Sequence, residues 1–239
     1  MKTERMTVKI EFTEPILGSS SANPEVHSEY IASKAPDTER AEEEVAAVKR
    51  ATKSQPEDAD PDSEKDSPWD TEEEITKSMT VFPRDLDGRI HIWDYQIKGY
   101  LKEALFALIE LGHDDVKGMS KWTYLRTVNQ FVWIEPRVIH LLDPAGNPWG
   151  HVSAIKQRPL RAKTARGERI CLASSEQLPM GTSCQFEIEV QSYEGPAKKS
   201  TTAVLTMAGI EAALDRGEKQ GFAQWRSGGF GRFTWAQIG

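Results

Sequence analysis

The chain has 239 residues, 38% of them hydrophobic and 28% charged, with a formal net charge of −7. That length sustains one large domain or two small ones around a substantial buried core. No apolar run approaches the roughly 20 residues of a membrane-spanning helix, the N-terminal residues lack a signal-peptide apolar core, and two cysteines, Cys171 and Cys184, are too few for a disulfide framework and lack metal-site spacing. A cytoplasmic protein with no membrane association, no metal and no cofactor is therefore expected.

The negative charge is unevenly distributed. Residues 22–78 hold 17 Asp and Glu against 7 Lys and Arg, which leaves 20 acids and 23 bases in the rest of the chain. A strongly acidic balance argues against a polyanionic partner, but a chain whose acidity sits in one segment keeps a basic remainder for such a partner.

In chain order, residues 6–12 (MTVKIEF) alternate apolar and polar side chains as a half-buried strand does. Pro15 ends regular pairing, and Gly18 with three serines makes a polar exit. Residues 22–78 are rich in Pro, Ser, Ala, Glu and Asp and poor in large apolar side chains. They read as a long insertion, mostly disordered in isolation, with a helix over residues 38–52, where acids come first and bases last. The insertion is either a solvated spacer or an arm that screens a basic groove or docks on a partner.

Residues 79–83 and 89–93 are short strand candidates joined by Asp85-Leu86-Asp87-Gly88, a hairpin signal. Ile97, Leu101, Ala104, Leu105, Leu108 and Ile109 then recur at helical spacing. Lys98 and Gly99 are expected in the first turn of that helix, where unpaired N–H groups favour an anion. Equally, Gly99 permits close packing and Lys98 is solvated. Residues 120–143 contain strand-like apolar runs broken at Pro136. His27, His91, His113, His140 and His151 form no cluster.

Six bases, Lys156, Arg158, Arg161, Lys163, Arg166 and Arg169, stand against one acid, Glu168, in a basic hairpin or loop between two strands. Counterion release would draw this patch to a polyanion, and a solvated cationic loop is the alternative. Residues 183–192 alternate strictly, with Cys184, Phe186, Ile188 and Val190 on one face. Residues 201–216 read as a second helix, with an apolar stripe at Val204, Leu205, Ala208 and Ala212 and a stop at Gly217.

The last stretch, residues 221–235 (GFAQWRSGGFGRFTW), combines Gly221, Gly228, Gly229 and Gly231 with Arg226, Arg232 and five aromatics, and holds no acid. Glycines allow close backbone approach and an anion-binding concavity of N–H groups, and guanidinium forks suit phosphate oxygens. The same residues suit a tight turn between aromatic strands. The order strand, helix, strand, strand, helix, strand points to an α+β fold with a ferredoxin-like or RNA-recognition-type sheet and helices on one face.

Three separated pieces resemble one family. The first strand running into TEPILGSSS, the hairpin and helix TVFPRDLDGRIHIWDYQIKGYLKEAL and the terminal GFAQWRSGGFGRF are together similar to the RAMP superfamily of CRISPR-associated proteins, in particular its backbone subunits that bind guide RNA. The matching positions are Pro15, Gly18 and Ser19; Ile97, Lys98 and Gly99, with Lys102 where the family often has arginine; and residues 221–231. The resemblance implies one domain formed by residues 1–21 and 79–239 around the insertion 22–78, and assembly along RNA as a homo-oligomer or within a multisubunit complex. On it, Lys98, Gly99, Lys102, the basic hairpin, Arg226, Arg232 and the loop glycines would contact the phosphodiester backbone, and Trp225 and Phe230 would stack bases or fill the core.

Two other readings stand beside this one. The protein, from a mobile element, takes the place of such a subunit, or mimics nucleic acid through its acidic insertion, to interfere with a defence complex. Alternatively it is a metal-dependent ribonuclease using Asp85, Asp87 and Asp94, residues that also read as a turn pair and a surface acid.

Overall fold

The computed structural model describes residues 2–23, 38–53, 79–164, 167–192 and 205–238. Most of the acidic insertion, residues 24–37 and 54–78, lies outside the described residues. In chain order the elements are β1 (Lys2–Phe12), β2 (Ile16–Leu17), β3 (Ser20–Ser21), α1 (Thr38–Lys53), β4 (Thr80–Val81), β5 (His91–Trp93), α2 (Asp94–Leu111), α3 (Tyr124–Phe131), β6 (Val132–Glu135), β7 (Val138–His140), β8 (Ala154–Thr164), β9 (Gly167–Leu178), β10 (Ser183–Ser192), α4 (Met207–Asp215), α5 (Gly217–Gln220) and β11 (Phe233–Gln237). They fall into two compact units, one made of Met1–Ile16, Ile92–Pro148 and Met180–Gly239, the other of Leu17–His91 and Trp149–Pro179.

The first unit is built on a sheet of order β11-β1-β10-β6, antiparallel at every pairing. Numbered by their place in the unit, these are strands 4-1-3-2 of a β-α-β-β-α-β chain with α2 and α4 as the two helices, which is the ferredoxin-like arrangement. Alternation along each strand decides its faces. Met6, Val8, Ile10 and Phe12 of β1, Cys184, Phe186, Ile188 and Val190 of β10, Val132 and Ile134 of β6 and Phe233 of β11 are buried on one face. Ile97, Leu101, Ala104, Leu105 and Leu108 of α2 and Ile210, Ala213 and Leu214 of α4 are buried as well. The two helices are joined by the Tyr100 hydroxyl, which donates to the Ala213 carbonyl at 2.8 Å. Burial pushes the Cys184 thiol up to about 12, so this cysteine is an apolar core residue rather than a reactive one.

Several boundaries differ from the sequence expectation. The helix expected to open near Ile97 starts three residues earlier, because Gln96 accepts the Trp93 N–H at 2.8 Å and the Asp94 N–H reaches the Arg137 carbonyl at 3.0 Å. Lys98 and Gly99 therefore sit in the second turn, and the first turn has an acceptor for its Asp94 N–H in the Arg137 carbonyl and a carboxylate at Asp94. Residues 124–131, rich in aromatic and β-branched side chains, form α3 rather than a strand, with Thr127 and Val128 on its buried side. Burial against the rest of the unit overrides the local β preference.

The second terminal helix begins at Met207, capped by the Thr206 hydroxyl on the Gly209 N–H at 3.4 Å, and residues 201–204 lie outside the described residues. Gly217 does not stop the chain but opens α5. A Cβ at this position would lie 2.3 Å from the Phe233 ring, so the glycine is there for packing.

In the second unit the order is β2-β9-β4-β3, with β8 paired along β9. The expected basic hairpin exists as two long strands in register from Ala154↔Gln177 to Thr164↔Gly167. Lys156, Arg158, Arg161, Lys163 and Arg169 lie along the strands, and residues 165–166, Arg166 among them, lie outside the described residues. The helix expected within the insertion is α1, and it docks: Val48 and Ala51 join Ala22, Met79 and Val81 in a buried cluster. Gly18 lies against the Val81 carbonyl carbon, where a Cβ would come within 2.5 Å, and its N–H donates to the Glu176 carbonyl at 2.8 Å.

Beside it is a buried ion pair that carried no sequence signal. Arg84 Nη2 meets Glu176 Oε1 at 2.9 Å, and Glu176 Oε2 accepts the Phe82 N–H at 2.8 Å. Burial raises the Glu176 pKa, and the Arg84 charge and these hydrogen bonds pull it back.

Candidate nucleic-acid interface

The exposed side of α2 carries the first group of candidate residues. Lys98 and Lys102 are one turn apart, with Gly99 beside them. Space around Gly99 is open: a Cβ built there meets nothing within 4 Å. Packing within the protein therefore does not demand a glycine at this mid-helix site, although glycine costs the helix about 0.5–1 kcal/mol relative to alanine. Lys98 reaches sideways to α3, where its Nζ donates to the Asn129 carbonyl at 3.2 Å. Partial burial and then the neighbouring Lys102 charge lower the Lys98 pKa, a state that an approaching anion would relieve.

The glycine-rich loop after α5 lies against the same helix. Arg226 forms an ion pair with Glu103, the residue after Lys102. The loop closes on itself through the Phe222 N–H to the Gly231 carbonyl at 2.8 Å, and on the exit of β1 through the Gly231 N–H to the Pro15 carbonyl at 2.8 Å. Two pieces of the resemblance, Pro15 and the C-terminal loop, are thus in direct contact. A Cβ at Gly231 would fall 2.0 Å from the Phe222 carbonyl oxygen, with φ at +69°.

The amides of Gly228 and Gly229 donate to Trp225 and Arg226 carbonyls, each at 2.9 Å. The three loop glycines 228, 229 and 231 therefore offer close backbone approach rather than free N–H donors. What they achieve is a strained, fixed loop. Ala223 and Trp225 are held at φ of 65° and 52°, a region that bulky residues avoid. The Trp225 ring stacks on Phe230 with centroids 5.0 Å apart and planes 16° from parallel. Gly228 completes the arrangement, since a Cβ there would come within 2.6 Å of the indole.

Beside the loop is an open pocket of about 400 Å³ lined by Glu14, Pro15, Ser227, Gly228, Gly229, Phe230 and Arg232. The Arg232 carbonyl accepts the Thr13 and Glu14 N–H groups at 2.9 and 3.3 Å, which fixes its backbone while leaving the side chain exposed.

The sheet face away from the helices is of different chemistry. Register places Arg5 opposite Glu189, Thr7 opposite Glu187, and Glu187 in turn opposite Glu135. With Lys9, Glu11 and Trp133 this face holds four carboxylates against two bases, and Arg5 is bound to Glu189 at 2.7 Å. RNA-recognition sheets stack bases on aromatics of this face; here the central strands supply charged and polar groups instead.

The remaining candidates are placed elsewhere. Lys156 is half-buried and Arg158 is buried, while Arg161, Lys163 and Arg169 occupy register positions in β8 and β9 of the second unit, and Arg166 lies outside the described residues. Asp85 and Asp87 belong to the second unit and Asp94 to the first. Asp85 is consumed in its turn: its Oδ1 accepts the Asp87 and Arg89 N–H groups at 3.0 and 2.9 Å, and its Oδ2 meets Arg89 Nε at 2.7 Å. Asp87 is also paired with Arg89, at 2.7 Å. Among the described residues no group of three or more His, Cys, Asp or Glu side chains is placed to hold a metal, and no helix is long and apolar enough to cross a membrane.

No protein-family model and no curated protein matches the chain. Among solved structures it is similar to a chain of a structure titled "Type IV-B CRISPR Complex", with a TM-score of 0.43 and 9% identity over 98% of this chain and 90% of that one. At this level of likeness, function has to be argued from the residues.

Proposed function

We propose that the chain is an RNA-binding subunit of RAMP type, which assembles along a guide RNA in a CRISPR-type ribonucleoprotein. The observation that carries this reading is the exposed face of α2. A mid-helix glycine, Gly99, faces open space between two lysines, and the strained Trp225–Phe230 loop with Arg226 and Arg232 stands beside it. A bare backbone patch flanked by cations accommodates a sugar–phosphate chain, and a fixed aromatic pair offers a surface for stacked bases.

The acidic sheet face would repel a polyanion, which supports RNA on the helix-and-loop side. The strands β8 and β9 of the second unit carry five bases in sequence, which would favour a polyanion in their own right. Purification under low salt tests the reading. The protein should carry RNA, seen as nucleic-acid absorbance that ribonuclease removes. A nucleic-acid-free protein that instead captures a defence complex would replace this reading with that of an interfering mimic, which the acidity of residues 22–78 motivates.

A further inference from the structure

The surface of α2 does not end at Lys98 and Lys102. One turn further on, Phe106 packs on Tyr124 with centroids 5.6 Å apart, and Lys121 Nζ lies 5.9 Å from the Phe106 centroid. The opposite end of α3 is the one that meets Lys98, through Asn129. α3 and the turn before it therefore lie alongside the exposed face of α2. Within that turn stands Trp122, 93% exposed, the most exposed of the large hydrophobic side chains among the described residues.

Its backbone is not loose. The Trp122 N–H donates to the Ser120 hydroxyl at 3.1 Å, and the Thr123 and Tyr124 N–H groups donate to the Ser120 carbonyl at 3.1 and 3.0 Å. From Lys117 to Ile134 the chain holds three bases, Lys117, Lys121 and Arg126, and no acid.

We propose that Trp122, flanked by Lys121 and Arg126, is a stacking site for an unpaired base of single-stranded RNA, so that the turn and α3 extend the RNA surface of α2. The inference rests on the RNA-binding reading above. An indole standing off the surface with both faces open suits a flat ring, whereas an interface tryptophan of a protein complex fills a pocket at the centre of an apolar patch. Around Trp122 the residues 120–130 are mostly polar or basic, with Leu125 as the exposed aliphatic side chain.

The carboxylates paired with the neighbouring lysines do not argue against an anion. Lys121 pairs with Glu110 at 2.9 Å and Lys117 with Asp114 at 3.8 Å, both on the surface. Such pairs contribute little, so the lysines can exchange them for phosphates. An unpaired strand is required because a duplex presents its bases only at their edges.

The test is a titration of a single-stranded RNA oligonucleotide with the full chain, together with photocrosslinking of a thiouridine-substituted oligonucleotide. The expected result is a crosslink on the peptide containing Trp122 and a roughly 5- to 100-fold loss of affinity in W122A, recovered in W122F. The slope of log affinity against log salt should stay unchanged, since no phosphate contact is lost. An unchanged urea midpoint shows that W122A is folded. Wild-type affinity in W122A, or loss of a co-purified protein with RNA affinity intact, overturns the inference while leaving the RNA reading standing. A wild-type chain that binds no RNA overturns both.

Discussion

Gly99 is where stability and binding pull in opposite directions. With open space at its Cβ position, G99A should stabilise the protein by about 0.5–1 kcal/mol, read from urea denaturation, while weakening RNA binding, read from fluorescence anisotropy. A variant that gains stability and keeps its affinity would remove Gly99 from the interface. Glu176 shows a different trade. E176Q leaves the Arg84 charge buried without its counter-ion and should cost about 3–5 kcal/mol, whereas the double change R84M/E176L should be close to neutral or stabilising. Equal losses in both variants, measured by denaturation, would mean that packing and not charge holds this site. The candidates Lys98, Gly99, Lys102 and Arg226 were legible one by one, but Glu103 and Glu176 were not. Their partners are 123 and 92 residues away in sequence, and no local pattern encodes such a pairing.

At the scale of elements, the glycine-rich loop is a device for holding Trp225 and Phe230, and its glycines are not equivalent. Gly231 and Gly229 both have positive φ, but only Gly231 faces a backbone oxygen at contact distance. G229A should cost about 1–2 kcal/mol, the penalty of the left-handed region alone. G231A should cost more than about 2 kcal/mol and perturb the environment of Trp225 in tryptophan fluorescence. Similar, small losses in both would mean that the loop is not fixed by this approach. The abundance of glycine and aromatics in the loop is legible in the sequence, but not where its N–H groups go: Gly228 and Gly229 close local turns, while the Gly231 N–H reaches the Pro15 carbonyl, which only folding brings close. α3 departs from the expected strand for a related reason. Its aromatic and β-branched side chains favour a strand locally, and the burial of Thr127 and Val128 decides otherwise. The start of α2 could have been found in the Trp-Asp-Tyr-Gln sequence, where an acid at the first helical position and a glutamine two residues later mark an N-terminus.

At the scale of the molecule, alternation in residues 6–12 and 183–192 and the helical spacing after Ile97 were enough to place the ferredoxin-like sheet, since each of these segments has one buried face. The division into two units was not legible, because the second unit is assembled from two stretches, Leu17–His91 and Trp149–Pro179, whose pairings cross long intervals of chain. On the proposed function, the α2 face and the glycine-rich loop bind the RNA backbone. The affinity of the wild type and of K98E/K102E for one single-stranded RNA across a salt series decides this. With about 0.7 counterions released per phosphate contact on a single strand, loss of two contacts should lower affinity and reduce the slope of log affinity against log salt by about 1.4. Identical slopes and affinities for the two proteins would mean that this face does not bind the RNA backbone.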